Sequence, residues 1–306
     1  MKNAVDNLIG NTPLARLTEI EKHFGLQAKL YAKVERNNPG GSIKDRVAKA
    51  IIDDAEQSGR LRSGGTVIEA TSGNTGVGLA MIAASRGYKA VIVMPETMSV
   101  ERRKLIAAYG AEIVLTKGED GMRGATERAA QLASEIPNSI LAGQFENPVC
   151  ADVHYQTTGK EIWKQTAGQA DAFIACVGSG GTLTGAGRYL KAQNSAVRVV
   201  AVEPTASPLL SQGRAGAHAI QGIGANFVPK ILDAKVYDEV ITVTDEEAFE
   251  TARLLAKKEG LFVGISSGAA VYACVLFAKR AENAGKNIVT ILPDDGGRYL
   301  STALLQ

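Results

Sequence analysis

The segment Val67-Ile-Glu-Ala-Thr-Ser-Gly-Asn-Thr-Gly76 opens with a short apolar run and continues through a turn that contains glycine. A helix-like stretch, residues 75–86, follows this turn, and residues 90–94 form the next apolar, β-branched run. A strand, a helix of ten or more residues and a second strand are typical of a βαβ unit with parallel strands. This segment therefore predicts an α/β fold.

The same alternation extends in both directions along the chain. We predict strands at residues 30–35, 67–70, 90–94, 112–115, 139–142, 172–177, 197–202, 239–243 and 288–292. We predict helices at residues 42–58, 75–86, 99–109, 153–165, 182–191, 245–258 and 267–284. Nine strands are many for one open sheet, so we expect two α/β domains with mainly parallel sheets. We place them at residues 1–147 and 148–306, with a break near Pro148, and the N-terminal strands could pack on the second domain.

Composition excludes several functional classes. The 34 Lys and Arg residues are balanced by 32 Asp and Glu residues, so no strong field exists to hold a nucleic acid or an anionic membrane. The three cysteines lie far apart and the three histidines are isolated, which predicts neither a disulfide framework nor a metal site. No apolar run reaches the roughly 18 residues of a membrane span. We expect a cytoplasmic protein.

A second glycine-containing turn, Cys176-Val-Gly-Ser-Gly-Gly-Thr-Leu-Thr-Gly185, has the composition of a phosphate site. Its glycines let the backbone approach an anion, and the N-terminal amides of the following helix can donate hydrogen bonds. A tight turn without a ligand explains the glycines equally well. A Walker loop is excluded because no Lys-Ser/Thr pair follows, and the turn does not match the dinucleotide pattern GxGxxG.

The first turn instead carries hydroxyl and amide side chains, on Thr71, Ser72, Asn74 and Thr75. Together with free backbone amides, such groups suit a carboxylate. Helix capping by Ser72 or Asn74 is the alternative interpretation.

The segment Asn38-Pro-Gly-Gly-Ser-Ile-Lys-Asp-Arg46 contains a lysine in an unusual place. Pro39 and two glycines predict a turn, and Ser42 is the predicted N-cap of the helix that follows. Lys44 then lies in the first helical turn, where the helix dipole disfavours a cation. It is either a solvated surface residue or a desolvated amine with a lowered pKa, suited to a Schiff base.

With these motifs the chain resembles the cysteine synthase (O-acetylserine sulfhydrylase) family, fold type II pyridoxal-phosphate enzymes that catalyse β-replacement. The resemblance runs from Ile9-Gly-Asn-Thr-Pro13 to Arg298-Tyr-Leu-Ser-Thr302. Besides the three segments above, it includes Met94-Pro-Glu-Thr-Met-Ser99, Gln144-Phe145, Thr157-Thr-Gly159, Gln221-Gly-Ile-Gly224 and Gly264-Ile-Ser-Ser-Gly-Ala269. Several ordered motifs together are specific, whereas each alone is not.

The resemblance implies two three-layer α/β domains of the tryptophan synthase β type, with the active site between them, and a homodimer. It implies that Lys44 forms an internal aldimine with pyridoxal 5′-phosphate and acts as the catalytic base. The other cofactor-binding residues would be Asn74 at the 3′-hydroxyl, Ser266 at the pyridine nitrogen, and Gly178, Ser179, Gly180, Gly181 and Thr182 at the phosphate. The substrate-binding residues would be Thr71, Ser72, Gly73, Thr75, Gln144 and Gly222.

Two of these positions have simpler interpretations. Ser266 could be the N-cap of the helix that follows it, and Gln144 could be a polar strand end. If Ser266 does face the ring nitrogen, its neutral hydroxyl makes the ring a weaker electron sink than a carboxylate would, which limits side reactions.

The implied reaction converts O-acetyl-L-serine and sulfide to L-cysteine and acetate by ping-pong β-replacement through an α-aminoacrylate. Hydroxyl or phosphate leaving groups stay open, and so does the acceptor. A cystathionine β-synthase or lanthionine synthase would use homocysteine or cysteine instead of sulfide, and a dehydratase is less favoured because its glycine-rich signature differs. From another class, the chain could be a non-catalytic scaffold that binds serine acetyltransferase, although an intact Lys44 speaks against this as the main role.

Overall fold

The computed structural model describes residues 4–305, which fold into two compact units. The first contains the described residues up to Ile9 together with Asn38–Cys150. The second contains Gly10–Asn37 and the described chain from Ala151 onward. These two units do not correspond to a single division of the chain at residue 147, because residues 10–37 belong to the second unit.

The described residues form ten strands and eleven α-helices. The strands are β1 (Leu14–Arg16), β2 (Lys29–Val34), β3 (Thr66–Ala70), β4 (Lys89–Pro95), β5 (Glu112–Thr116), β6 (Ser139–Leu141), β7 (Ala172–Cys176), β8 (Arg198–Pro204), β9 (Glu239–Val243) and β10 (Asn287–Leu292). The helices are α1 (Thr18–Phe24), α2 (Lys44–Gln57), α3 (Asn74–Arg86), α4 (Val100–Ala108), α5 (Gly121–Glu135), α6 (Val149–Val153), α7 (Lys160–Gln165), α8 (Gly181–Gln193), α9 (Leu209–Gln212), α10 (Asp245–Glu259) and α11 (Ile265–Ala278).

The first unit is built on a four-stranded parallel sheet in the order β5-β4-β3-β6. Every residue of β3 is buried, because helices cover both faces of the sheet, as a parallel sheet requires. On one side, Ile68, Val91 and Val93 pack with Ala129 and Leu132 of α5. β3 leads directly into the first glycine-containing turn, and β6 leads into the segment that contains Gln144.

The second unit contains a six-stranded sheet in the order β1-β2-β10-β7-β8-β9. Its strands are parallel except for the edge strand β1, which pairs antiparallel to β2. The core includes Ile174, Val200, Ile288, Leu255 and Val271, all fully buried. The second glycine-containing turn follows β7, a central strand of this sheet.

All nine predicted strands are confirmed, and the mainly parallel arrangement is confirmed with them. The structure adds β1, a strand of three residues, too short to show a period. It also adds α1, α5 and α9. The helix predicted at 267–284 ends at Ala278 instead, because the chain turns there into a 3₁₀ segment at Ala281–Asn283. The helix predicted at 153–165 begins earlier, at Val149, and contains a π-helical turn at His154–Gly159.

Within residues 4–305, the helices are all too short or too polar to cross a bilayer.

Candidate active site

Lys44 is the first residue of α2, as its sequence context predicts. The prediction that Ser42 is the N-cap is wrong: the cap position is Ile43 and carries no side-chain hydrogen bond. The Ser42 hydroxyl oxygen instead accepts a hydrogen bond from the Lys44 N–H at 3.2 Å. The preceding turn is closed by Asp45, whose Oδ2 accepts from the Gly40 N–H at 2.6 Å. Local hydrogen bonds therefore hold the lysine at the exit of the glycine turn.

The electrostatic environment of Lys44 favours a neutral amine. Burial of the amine lowers the pKa of Lys44, and this effect outweighs the opposite influence of Cys150 and Glu69. The residue is only partly exposed, so the interpretation of Lys44 as a solvated surface lysine is wrong. A desolvated amine of this kind is suited to forming an imine with a carbonyl compound.

The first glycine-containing turn connects β3 to α3. The cap position of α3 is Gly73, without a side-chain cap, so the interpretation of Ser72 or Asn74 as helix caps is wrong. The Thr71 hydroxyl accepts a hydrogen bond from the Gly73 N–H at 3.2 Å, which orders the turn. Asn74 is the first residue of the helix. The N-terminal amides of α3 lack acceptors within the helix, as at any helix start, and can receive an anion.

Gln144 lies beside this turn although it is far away in sequence. The Thr75 hydroxyl donates to Oε1 of Gln144 at 2.6 Å, and both side chains are buried. Gln144 comes three residues after the end of β6, so it is not a strand end. This hydrogen bond fixes the carbonyl end of the Gln144 side chain. The structure thus brings together Thr71, Thr75 and Gln144, which the resemblance groups as carboxylate ligands.

Glu69 is a residue that sequence reasoning missed. It lies in β3 with only 5% of its surface exposed, and its Oε2 accepts a hydrogen bond from the Gln144 N–H at 3.3 Å. Burial raises the pKa of Glu69 to about 7, against the opposing effects of backbone hydrogen bonds and of Lys44. The sequence did contain a signal for Glu69, because it is a charged residue inside a short predicted strand that is otherwise apolar.

The second turn is shaped by close backbone contacts in the second unit. A Cβ atom on Gly178 would lie 2.4 Å from the carbonyl oxygen of Gly222, so only glycine fits there. Gly180 has a positive φ of 84°, and α8 begins at the next residue, Gly181. The first amides of this thirteen-residue helix and Thr182 surround the end of the turn. The structure therefore brings the predicted phosphate residues and Gly222 together.

Thr182 is contacted by a histidine that sequence reasoning did not assign to the site. Nε2 of His154 lies 3.2 Å from the Thr182 hydroxyl oxygen, and Nδ1 lies 2.8 Å from that of Thr158. His154 and Thr158 belong to the π-helical turn, an uncommon geometry that is often found at functional sites. A four-residue spacing between a histidine and a threonine is too common to signal this role.

Ser266 lies in the first turn of α11 and is 4% exposed. The cap position of this helix is Gly264, so the N-cap interpretation of Ser266 is wrong. Its carbonyl oxygen accepts a weak hydrogen bond from the thiol of Cys176 at 3.4 Å. Burial raises the pKa of this thiol, which keeps it neutral. The contact ties the start of α11 to the end of β7, directly before the glycine turn.

The predicted residues are divided between the two units. Lys44, residues 71–75 and Gln144 belong to the first, whereas residues 178–182, Gly222 and Ser266 belong to the second. Within the described chain, the side chains of His, Cys, Asp and Glu form no cluster suited to a metal ion.

The residues present fit the cofactor that the resemblance implies. The amine of Lys44 has the lowered pKa that imine formation with an aldehyde requires. The turn at Gly178 lies so close to the Gly222 carbonyl oxygen that a Cβ would not fit there. The turn also presents the first amides of α8 and the Thr182 hydroxyl, which are the donors that a phosphate site needs.

Comparison with known proteins agrees with this geometry. Residues 5–294 match the family described as pyridoxal-phosphate dependent enzyme. The chain is 49% identical over 304 residues to cysteine synthase of Staphylococcus aureus, covering 98% of this chain and 97% of that protein. The crystal structure of cysteine synthase from Entamoeba histolytica superposes with a TM-score of 0.96 at 40% identity, covering 100% of this chain and 91% of the other. That of O-ureido-L-serine synthase superposes with a TM-score of 0.95 at 44% identity, covering 99% and 95%. The chain therefore belongs to the pyridoxal-phosphate dependent enzymes, in the cysteine synthase branch.

Proposed function

We propose that the protein is a cysteine synthase that converts O-acetyl-L-serine and sulfide to L-cysteine and acetate. The observation that carries this proposal is the buried Lys44 amine, whose pKa is lowered, in a chain 49% identical to a cysteine synthase. When bound, pyridoxal phosphate supplies an electron sink for negative charge at the substrate Cα.

The residues of the chain supply binding and proton transfer. Lys44, at the start of α2, takes the Cα proton on its Nζ as general base and later returns it. The residues that bind the substrate carboxylate are Thr71, Ser72, Thr75 and Gln144. The amides of Gly178–Thr182 and the Thr182 hydroxyl hold the phosphate group, Asn74 and Ser266 contact the cofactor ring, and Gly222 approaches the substrate through its backbone.

An assay with the cofactor-loaded protein tests this function directly. O-Acetyl-L-serine and sulfide should yield L-cysteine and acetate in equal amounts, and Lys44→Ala should lose both this activity and the visible absorbance of the bound cofactor. Lys49→Ala, on the same helix, is the matched control and should keep both. A wild-type protein that binds no cofactor and only serine acetyltransferase would favour the scaffold interpretation.

The acceptor is tested by competition. Equal concentrations of sulfide, homocysteine and cysteine are offered with O-acetyl-L-serine, and the products are separated by mass. We expect L-cysteine from sulfide to dominate. Cystathionine or lanthionine as the main product would place the protein with the thiol amino-acid enzymes.

We also propose that the protein is a cytoplasmic homodimer that can bind serine acetyltransferase. The cytoplasmic location is supported by the three cysteines, which form no disulfide in the described structure, as in reducing compartments. The homodimer is supported by the family resemblance, which implies this assembly. Light scattering of the purified protein should give twice the mass of one chain, and a monomer would contradict the proposal.

A further inference from the structure

Glu69 is a carboxyl group in the middle of a buried parallel sheet. It is the fourth residue of β3, and every residue of that strand is buried. A buried carboxyl costs free energy unless hydrogen bonds compensate for the loss of water. The hydrogen-bond partners of the Glu69 carboxyl group therefore indicate its structural role.

Two of those partners are backbone amides just after the neighbouring strand, and the N–H of Ala70, the next residue of β3, is a third. Oε2 accepts from the Gln144 N–H, and the N–H of Gly143 also donates to the carboxyl group. Gly143 has a positive φ of 66°, and the Ala142 N–H donates to the Ile68 carbonyl at 2.9 Å as the last bond of the strand pair. The carboxyl group thus stabilises a sharp turn directly after β6.

This turn determines where Gln144 points. Oε1 of Gln144 accepts from the Thr75 hydroxyl at 2.6 Å, so the side-chain amide is fixed at its carbonyl end. A chain of contacts consequently runs from Glu69 through the backbone of Gln144 to Thr75 in the first turn of α3. All three side chains are almost completely buried, which restricts their rotation.

We propose that Glu69 is a positioning residue, which orients the Gln144 amide for the substrate carboxylate by holding the turn Gly143–Gln144. The inference rests on the proposed function of this site as the carboxylate pocket. In this role Glu69 acts on the substrate through Gln144, whose backbone N–H donates to its carboxyl group. Its loss should therefore weaken binding of the amino-acid substrate and leave the chemistry at Lys44 in place.

The first measurement needs neither cofactor nor turnover. Glu69→Gln replaces one acceptor oxygen by an NH₂ group that opposes a backbone donor, so the amides of Gly143 and Gln144 should exchange with deuterium about tenfold faster. Thr66→Val, in the same buried strand, is the matched control and should leave this exchange unchanged. Equal exchange in Glu69→Gln and wild type would overturn the proposal.

The second measurement separates binding from chemistry. In Glu69→Gln, KM for O-acetyl-L-serine should rise about tenfold while kcat changes less than about twofold, as expected when one ordering hydrogen bond is lost. In a Gln144→Ala background the same substitution should have no further effect, because the two residues act in series. A fall in kcat at unchanged KM, or an additive double variant, would refute the positioning role and indicate that Glu69 acts on Lys44.

A third measurement distinguishes failure of this inference from failure of the proposed function. L-Alanine carries the α-carboxylate but no leaving group, and its dissociation constant from the cofactor-loaded protein is measured by calorimetry. We expect about tenfold weaker binding in Glu69→Gln, and an unchanged constant contradicts the inference. A wild-type protein that binds L-alanine but makes no cysteine refutes the cysteine synthase function alone, whereas one that does not bind L-alanine refutes both.

Discussion

The imidazole of His154 lies between two hydroxyl groups, with Nε2 3.2 Å from Oγ1 of Thr182 and Nδ1 2.8 Å from Oγ1 of Thr158. His154 is 1% exposed and its ring therefore has little freedom to leave this arrangement. Gly185 contributes to it, because a Cβ there would lie 2.0 Å from the Ala151 carbonyl oxygen. Helix α8 consequently packs directly against the π-helical turn, which places the histidine beside the Thr182 hydroxyl.

Replacement of His154 should weaken cofactor binding. In His154→Leu the Thr182 hydroxyl loses its partner, and we expect the dissociation constant of pyridoxal phosphate to rise about fivefold, the value of one ordinary hydrogen bond. The constant is measured by titrating the cofactor-free protein and recording absorbance. His23→Leu, at an exposed position, is the control. Unchanged cofactor affinity in His154→Leu would show that Thr182 is oriented without it.

Gly178→Ala should disrupt the second glycine-containing turn. The new Cβ would lie 2.4 Å from the Gly222 carbonyl oxygen, so one of the two backbone segments must move. We expect a loss of about 1–3 kcal/mol in the free energy of unfolding and loss of cofactor binding. Gly213→Ala is the control, because Gly213 has a positive φ of 67° but a Cβ there would meet no atom within 4 Å. It should cost about 1 kcal/mol and keep cofactor affinity, since only backbone strain is introduced.

The pKa of Glu69 predicts a pH-dependent difference in stability between wild type and Glu69→Gln. The pKa is raised from 4.5 to about 7 by folding, so the folded protein retains a proton that the unfolded chain releases. The contribution of this group is fully present below pH 4.5 and is lost as the pH rises through 7. Wild type should therefore lose on the order of 3 kcal/mol relative to the variant across this window. Urea unfolding of the cofactor-free proteins at several pH values measures the difference, and a constant difference would contradict a raised pKa.

Lys33 should be among the residues most sensitive to substitution outside the site. Its fully buried amine contacts Oε2 of Glu161 at 2.7 Å, the Thr12 carbonyl at 3.0 Å and Oε1 of Gln165 at 3.0 Å. Lys33→Met removes the positive partner of the Glu161 carboxylate and should cost about 3–5 kcal/mol in the free energy of unfolding. Adding Glu161→Gln should recover part of this loss, because the uncompensated charge disappears. A double variant as unstable as the sum of the single ones would indicate that the pair is not coupled.

Local sequence determined the elements and the chemistry that each turn can support. Apolar β-branched runs and longer helical stretches predicted nine of the ten strands, because burial of both sheet faces leaves a continuous apolar pattern. The turns at 38–46, 71–76 and 176–185 predicted the role of Lys44 and two ligand loops. Such predictions are possible because glycine frees the backbone locally, and hydroxyl and amide side chains supply hydrogen-bond donors.

Tertiary structure decided which residues support those turns. Glu69 reaches the backbone of Gln144, 75 positions away, and His154 reaches Thr182, 28 positions away. No period or motif connects such pairs, because their proximity results from strand order and helix packing. The lowered pKa of Lys44 and the raised pKa of Glu69 have the same origin, since both result mainly from burial, which the tertiary structure decides.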